Sequence, residues 1–407
     1  MPDLVTDGAA RFLVYGLQAF CIFVTATFVF DVIHFTLHRF TRSRFRLLRW
    51  LGDLHLAHHD YFDQSLNFHP KLYIKNFVKH SLPEYATQSA VSLAALLIFD
   101  WVPVAICLGL FSTRVLVSEF LLRGQDTHHR PLKVIPGRHG RVFVEASYHA
   151  LHHIHVDCYI SSYTTLFDRL MGTCCQLRGR RIAITGASGA LGKPMANLLS
   201  GAGADVTRIA FQRDYTYDDY SRLDAVLSRT DILVLCHGAK GADAMQANCH
   251  SFVAIIERFK SLTEGRQVPA EIWAVGSESE IHPLFDPSKR DYQDSKRAFA
   301  RHARRYYGDA SIVYRHIVPA GYRSPLGWGL ISGDTVARIS LFLIRRGFRY
   351  IPVTYTGFAF LNFFKFVLLV RPAPEPGKER MAVCELPESE PGAWRPRQSN
   401  EVAGALR

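Results

Sequence analysis

The sequence predicts two domains of different class, an all-α membrane domain followed by an α/β domain built on a doubly wound parallel sheet. Three observations predict this. Long apolar stretches are confined to about the first 120 residues, 14 of the 19 histidines lie before residue 156, and at Arg178 the composition changes to short apolar strands alternating with helical segments. The length of 407 residues points the same way, because roughly 150 residues per domain predicts two or three domains.

The first element runs from Phe12 to Phe35 and is apolar apart from Gln18, Asp31, His34 and a few threonines, enough to cross a hydrocarbon layer of roughly 30 Å. A second apolar region, Ala86 to Phe111, is broken by Asp100, Trp101 and Pro103, and reads as a tight hairpin whose two ends return to one side. The net charge of +12 is placed beside these segments, with Arg39, Arg42, Arg44, Arg46 and Arg49 after the first and Lys71, Lys75 and Lys79 before the second. That is the position of positive-inside flanks, so the basic charge predicts a membrane surface as partner and excludes nucleic acid. The expected arrangement is integral and multi-pass, with every polar segment on the cytoplasmic face. The eight cysteines (Cys21, Cys107, Cys158, Cys174, Cys175, Cys236, Cys249 and Cys384) form no C-x-x-C pair, which fits a reduced compartment. The first ten residues carry two aspartates and no basic stretch, so no cleaved signal peptide is expected.

Strands are predicted at Arg180–Thr185, Val206–Phe211, Ile232–Leu235 and Ile272–Val275, with a helix opening at Pro194, and the alternation continues to about Pro352. The expected organisation is a membrane domain over 1–175, a nucleotide-binding domain over 178–355, an apolar interfacial segment over 356–371 and a disordered tail over 372–407, where proline and charge dominate.

The histidines are clustered. His34-x-x-x-His38 places two imidazoles on one helix face, and His55-x-x-His58-His59 and His149-x-x-His152-His153 each place three at i, i+3 and i+4. One structural zinc does not need eight nitrogen donors, so two metal ions are implied, of a kind that imidazole alone does not choose. These clusters, with Arg39, the Asn67-Phe68-His69-Pro70 element, Asp126-Thr127-His128 and the closing stretch Leu166 to Thr173, make the first 175 residues resemble the fatty acid hydroxylase and sterol desaturase superfamily of membrane oxygenases. The resemblance implies two irons, O₂ and a lipid substrate. It carries ligand roles onto His34, His38, His55, His58, His59, His149, His152 and His153, with His128 as a ninth. His69, His129 and His155 stand as ligands or as groups that orient ligands, and Asp168 as an orienting carboxylate or a helix cap.

Thr185-Gly186-Ala187-Ser188-Gly189-Ala190-Leu191-Gly192 follows a predicted strand and opens a predicted helix, with glycines for the turn, the phosphate approach and the helix contact. Further on come Gly238 in Cys236-His237-Gly238-Ala239, Asn248, Ser277 after a strand, and Tyr292-x-x-x-Lys296, which shares one helix face. In such a set the ammonium lowers the phenol pKa, the phenol exchanges a proton with an alcohol or carbonyl, and the serine orients that oxygen. Residues 178–355 thus resemble the short-chain dehydrogenase/reductase family, a Rossmann-type fold. The resemblance gives catalytic roles to Asn248, Ser277, Tyr292 and Lys296, and cofactor contacts to Thr185, Gly186, Ser188, Gly189, Gly192, Gly238, Pro319 and Gly321. About 20 residues separate the second strand from the next, so a third strand and its helix are expected to be trimmed. No acidic residue ends the second strand, whereas Arg208 and Arg213 could meet a 2′-phosphate, which favours NADP(H) over NAD(H).

Together these readings predict a membrane di-iron enzyme that hydroxylates or desaturates a sterol or fatty acyl lipid, fused to an alcohol or carbonyl oxidoreductase. Nicotinamide delivers hydride, and the chain has no flavin motif or cysteine cluster to split it, so an external ferredoxin or cytochrome is expected as electron donor. Two alternatives stand beside this: conversion of a fatty aldehyde to hydrocarbon, as in plant wax-alkane proteins of similar arrangement, and a C-terminal half that only senses nucleotide.

Overall fold

In the computed structural model, which describes residues 2–281 and 287–374, the first apolar run is one helix, α1 (Pro2–Phe40). Its small and apolar residues Ala19, Ile22, Ala26 and Phe30 recur at helical spacing and are buried, while Phe12, Leu13, Leu17 and Phe20 point outward uncovered. A helix that leaves several large apolar side chains uncovered suits a lipid surround better than water. Amphipathic α2 (Arg46–Tyr61), short α3 (Tyr73–Asn76) and a single π-helical turn, Phe77–Ser81, lead to α4 (Leu82–Ala94). The expected hairpin follows, with the chain turning over Ala95–Asp100 into α5 (Trp101–Val115), which runs on as a π-helical turn to Leu121. Pro103 does not break it, because it falls in the first turn of α5, where the missing N–H has no intrahelical partner to lose. Gly8–Phe40 and Trp101–Leu121 are long and apolar enough to cross a membrane. Helices α4 and α5 pack together and on α1.

Two short helices complete this half, α6 (Ala146–Ile154) and α7 (Leu166–Met171). Buried Asp168 ties the loop between them by accepting hydrogen bonds from the Ile160 and Ser161 amides, the Tyr148 hydroxyl and Thr173 Oγ1. Its donors include no histidine ring and no free amide of a helix N-terminus, so it holds the loop rather than orienting a ligand or capping a helix.

The second half comprises β1 (Arg181–Thr185), α8 (Gly192–Gly201), β2 (Asp205–Ile209), α9 (Asp224–Leu227), β3 (Ile232–Leu235), α10 (Ser251–Thr263), β4 (Glu271–Val275), α11 (Arg290–Gly308), β5 (Val313–Pro319), β6 (Tyr322–Arg323), β7 (Ile331–Ser332), α12 (Gly333–Arg345), β8 (Tyr350–Val353) and α13 (Phe358–Leu368). The main sheet is parallel throughout, in the order β2-β1-β3-β4-β5-β8. One face packs on α10 and α11 through Phe252, Phe259, Phe299 and Tyr306, and the other on α8 and α12 through Met195, Leu199, Val336 and Ile344. Burial on both faces explains why β3 and β4 are unbroken apolar runs. The strand order reverses between β1 and β3, as in a Rossmann-type sheet, and among the described residues no strand lies outside β2. Only a turn and α9 fill the chain between Ile209 and Ile232.

Helix α13 buries Ala359 and Phe366 against α11 and β8 and leaves Phe358, Phe360, Leu361 and Phe364 about half exposed. The expected tail lies outside the described residues from position 375 onward, as does Cys384.

Residues 1–372 form one unit in which the halves meet at the amino ends of the strands. Gly137 donates to the Ala310 carbonyl and packs against Ile312 just before β5, Ile135 donates to Gln267 before β4, and Arg180 before β1 bonds His155.

Candidate dinuclear metal centre and nucleotide site

Helices α1, α2 and α6 carry the three histidine clusters and turn them into one volume, because each cluster lies on the face that the helix presents to the others. Two sets of ring nitrogens result: His34, His38, His55, His59 and His152 in one, and His58, His129, His149 and His153 in the other, with the nitrogens of each set within 4.8 Å of one another. In the first set, His38 Nε2 lies 3.2 Å from His34 Nε2, 3.1 Å from His55 Nε2 and 3.3 Å from His59 Nε2. In the second, the successive Nε2 separations from His58 to His129, His149 and His153 are 3.1, 3.0 and 3.1 Å.

The residues fit metal ions. Nitrogen ligands sit about 2.0–2.1 Å from a divalent ion, so two neighbouring ligands sharing one ion lie about 2.8–3.4 Å apart, the lower end octahedral and the upper tetrahedral. The observed separations match. His152 Nε2 is buried with no hydrogen-bond partner, a costly state that a metal ion relieves. Three of the opposite ring nitrogens are held as ligand orientation requires: His58 Nδ1 by Asn76 Oδ1 at 3.1 Å, His152 Nδ1 by the Cys158 carbonyl at 3.0 Å and His129 Nδ1 by Asp126 Oδ1 at 2.9 Å, whereas Nδ1 of His34, His59 and His153 is buried without a partner. Burial is the largest influence on His55, His58, His59, His149 and His153, and pushes all of them well below the usual imidazole range, while His152 falls to about 4. They are neutral at pH 7, as ligands must be.

All eight residues expected from the three clusters are in these sets. The ninth member is His129 and not His128. Asp126 Oδ1 accepts the backbone N–H of both residues and the Nδ1–H of His129, which swings that ring inward, while His128 lies against Tyr163 with ring centroids 5.7 Å apart. His69 pairs with Asp63 at 2.9 Å on the surface, and His155 belongs to the contact between halves. Sequence reasoning missed Asn76 and His80. His80 stacks on His58 at 3.9 Å, with the planes 22° apart, and reaches that position from the π-helical turn.

The nucleotide half brings its residues together at the carboxyl ends of the strands. Gly186 has φ +65°, and a Cβ there would lie 2.6 Å from the His237 amide nitrogen; one on Gly192 would lie 2.1 Å from the Gly186 carbonyl oxygen. These two glycines allow the turn and its contact with α8. Ser188 and Gly189 are exposed on the open side, where a pyrophosphate would meet the α8 N-terminus. The Thr185 hydroxyl faces beneath the turn and lies 2.7 Å from His237 Nδ1. Arg208 bonds Asn197 at 3.0 Å and stays on the surface. A carboxylate does stand at the end of β2, contrary to expectation, because Asp214 folds back onto the Ala210 amide at 2.7 Å; it is paired with Arg213.

Tyr292 hydrogen-bonds the side chain of Ser277, and Lys296 on the next turn donates to the Val275 carbonyl at 2.8 Å. Asn248 braces the site by donating to the Ala239 carbonyl at 2.8 Å and to Ser295 Oγ at 2.9 Å, and a Cβ on Gly238 would strike its Oδ1. Burial pushes Lys296 down to about 8 and Tyr292 up to about 12. The expected lowering of the phenol pKa by the ammonium is not seen: Nζ is 5.9 Å from the ring and is turned to a carbonyl. The phenol is therefore protonated at pH 7, ready to donate. Glu280, also missed, accepts from the Ser277 amide at 2.7 Å and lies 2.9 Å from His316 Nε2, fixing the Ser277 backbone from below. Pro319 ends β5, and the Gly321 carbonyl accepts from the Tyr355 hydroxyl at 3.0 Å.

Fold and site define the class: a helical polyhistidine domain joined to a Rossmann-type domain with a tyrosine–lysine site. No family model matches the chain. It is 28% identical over 250 residues to a monoglucosyldiacylglycerol epimerase of Synechocystis sp., a match that covers 54% of this chain and 60% of that relative. Among solved structures it is similar to a short chain dehydrogenase of Burkholderia cenocepacia in complex with NADP (TM-score 0.41, 14% identity, 52% of this chain and 99% of that one) and to one of Burkholderia phymatum in complex with NAD (TM-score 0.39, 15% identity, 49% and 99%).

Proposed function

We propose that this chain is a membrane-anchored oxidoreductase with two sites, a di-iron centre that oxidises a lipid C–H bond by hydroxylation or desaturation, and an NAD(P)-dependent site that interconverts a lipid alcohol and its carbonyl. The observation that carries the first part is the pair of histidine sets, nine ring nitrogens at ligand spacing beside two apolar helices. Bound iron would supply O₂ activation. The chain's own residues hold the ligand rings, through Asn76, Asp126 and the Cys158 carbonyl, and leave lipid access between apolar helices. Electrons come from an external ferredoxin or cytochrome, because hydride does not divide without a one-electron carrier.

In the second site the nicotinamide would exchange hydride. Ser277 positions the substrate oxygen, Tyr292 donates its proton to that oxygen as a carbonyl is reduced, and Lys296 and Asn248 hold the helix geometry behind it. Detergent-purified protein is expected to hold about two irons per chain, with His152→Ala losing half or more, read by metal analysis and Mössbauer spectroscopy. Tyr292→Phe is expected to lower carbonyl reduction by about 10²-fold or more at unchanged iron content. Zinc alone, or no metal, removes the oxygenase half of the proposal, and full reductase activity in Tyr292→Phe removes the other half.

The Synechocystis relative favours a second reading of the tyrosine–lysine site. Removal and return of one hydride at a sugar carbon of a glycolipid would invert that carbon with no net consumption of nucleotide. Inverted head group formed without net NADPH oxidation would select this reading.

A further inference from the structure

At the opposite end of the sheet from the nucleotide cradle, the two halves enclose a cavity of about 270 Å³. The amino-end residues of β4, β5 and β8 line one side, and Tyr148 and Leu151 of α6 the other. No residue assigned above to metal, nucleotide or proton transfer lines it.

Its charge is unbalanced. Arg141, Arg169, Arg180, Arg315 and Arg349 line the cavity with one carboxylate, Glu271. That carboxylate is committed, because it pairs with Arg315 and accepts from Trp273 Nε1 at 2.7 Å. Arg180 is 3.8 Å from Asp231. The other three guanidiniums are bonded to neutral oxygens: Arg349 to the Tyr307 and Tyr314 carbonyls, Arg169 to the Arg141 carbonyl and Thr165 Oγ1, and Arg141 to the Tyr307 hydroxyl. Burial first, then Arg315, Arg138 and Arg141, push Arg349 down to about 10 despite Tyr307, the mark of positive charge crowded without a counter-ion.

We propose that this cavity binds the phosphate group of a small phosphorylated compound, held by the guanidiniums of Arg141, Arg169 and Arg349. Guanidinium forks match phosphate oxygens, and bonds to an anion are stronger than those the three now make to neutral oxygens. The space exceeds that of phosphate alone, and Leu151, Phe348 and Phe363 offer an apolar wall to the rest of the ligand. An occupant touches the back of α6, whose other face carries His149, His152 and His153, and so couples the metal centre to the sheet.

The test is titration of full-length protein in detergent with sodium phosphate, against sodium chloride at equal ionic strength, followed by calorimetry and thermal unfolding. Phosphate is expected to bind and raise the unfolding temperature, with affinity reduced roughly tenfold in Arg141→Gln and in Arg169→Gln. Arg141 is exposed, so the fold and metal content of Arg141→Gln are expected to be unchanged. Stabilisation by phosphatidic acid in mixed micelles, lost in Arg141→Gln, would support the same site with a lipid as the phosphate source. No phosphate-specific response in wild type overturns the proposal. So does an equal response in both variants, which would place the anion elsewhere, such as at the α8 N-terminus.

Discussion

The nine clustered imidazoles share a buried space, and six of them set a pH window. The folded pKa values of His55, His58, His59, His149, His152 and His153 lie below the unfolded value of about 6.5, with burial as the leading cause, and His152 falls to about 4. Below about pH 6.5 the unfolded chain binds more protons than the folded one, so stability is lost as pH falls toward 4. Release of bound metal and loss of helical circular dichroism are therefore expected together in that interval. Release confined to pH below 3 would contradict the shifts. Eight of the nine residues were legible in the sequence, because i, i+3 and i+4 spacing fixes which side chains share a helix face. The ninth was not. Whether His128 or His129 turns inward depends on how Asp126 caps an irregular turn, and His80 depends on a π-helical turn that spacing does not announce.

At the scale of elements, the glycine-rich turn separates folding from binding. A Cβ at Gly192 would meet the Gly186 carbonyl oxygen, a backbone atom that cannot yield, so Gly192→Ala is expected to cost about 3 kcal/mol in denaturant unfolding. At Gly189 the nearest obstacle is 3.2 Å away on the exposed side. Gly189→Ala is expected to unfold within about 1 kcal/mol of wild type yet weaken nucleotide binding about tenfold, because the added methyl stands where backbone meets phosphate. Equal effects of the two substitutions on stability would refute this division. The first four strands of this half were legible to within two residues at each end, since doubly buried strands read as apolar runs, whereas β5 to β8 were read only as a continuing alternation. The trimmed third strand was legible by counting residues between Ile209 and Ile232. The return of Asp214 to the end of β2 was not, because it depends on a turn whose geometry leaves no periodic signal.

For the whole molecule, what matters is where the halves join. The nucleotide cradle lies at the carboxyl ends of the strands and the helical half meets their amino ends. A five- to seven-residue strand therefore separates the cradle from the interface by about 17–23 Å, at about 3.3 Å per residue. The metal centre lies further still, beyond α6. A lipid leaving one candidate site must go around the domain to reach the other. Adding unlabelled lipid alcohol to membranes turning over labelled substrate is thus expected to dilute the label in the final carbonyl in proportion to the pool. Undiluted label would require a direct passage. None of this was legible in the sequence, because the contacts join residues such as Gly137 and Ile312 that no local pattern links.

The missing strand outside β2 has a consequence of its own. In a full sheet the adenine end of a dinucleotide is enclosed by the third strand and its helix; here that end would meet an edge strand and the half-exposed ring of Phe211. A grip confined to the pyrophosphate and nicotinamide ends suits a co-substrate that departs after each hydride transfer and is recharged elsewhere. It suits less well a resident coenzyme that must keep its hydride between two half-reactions, so the shape of one sheet edge favours net oxidation or reduction over inversion.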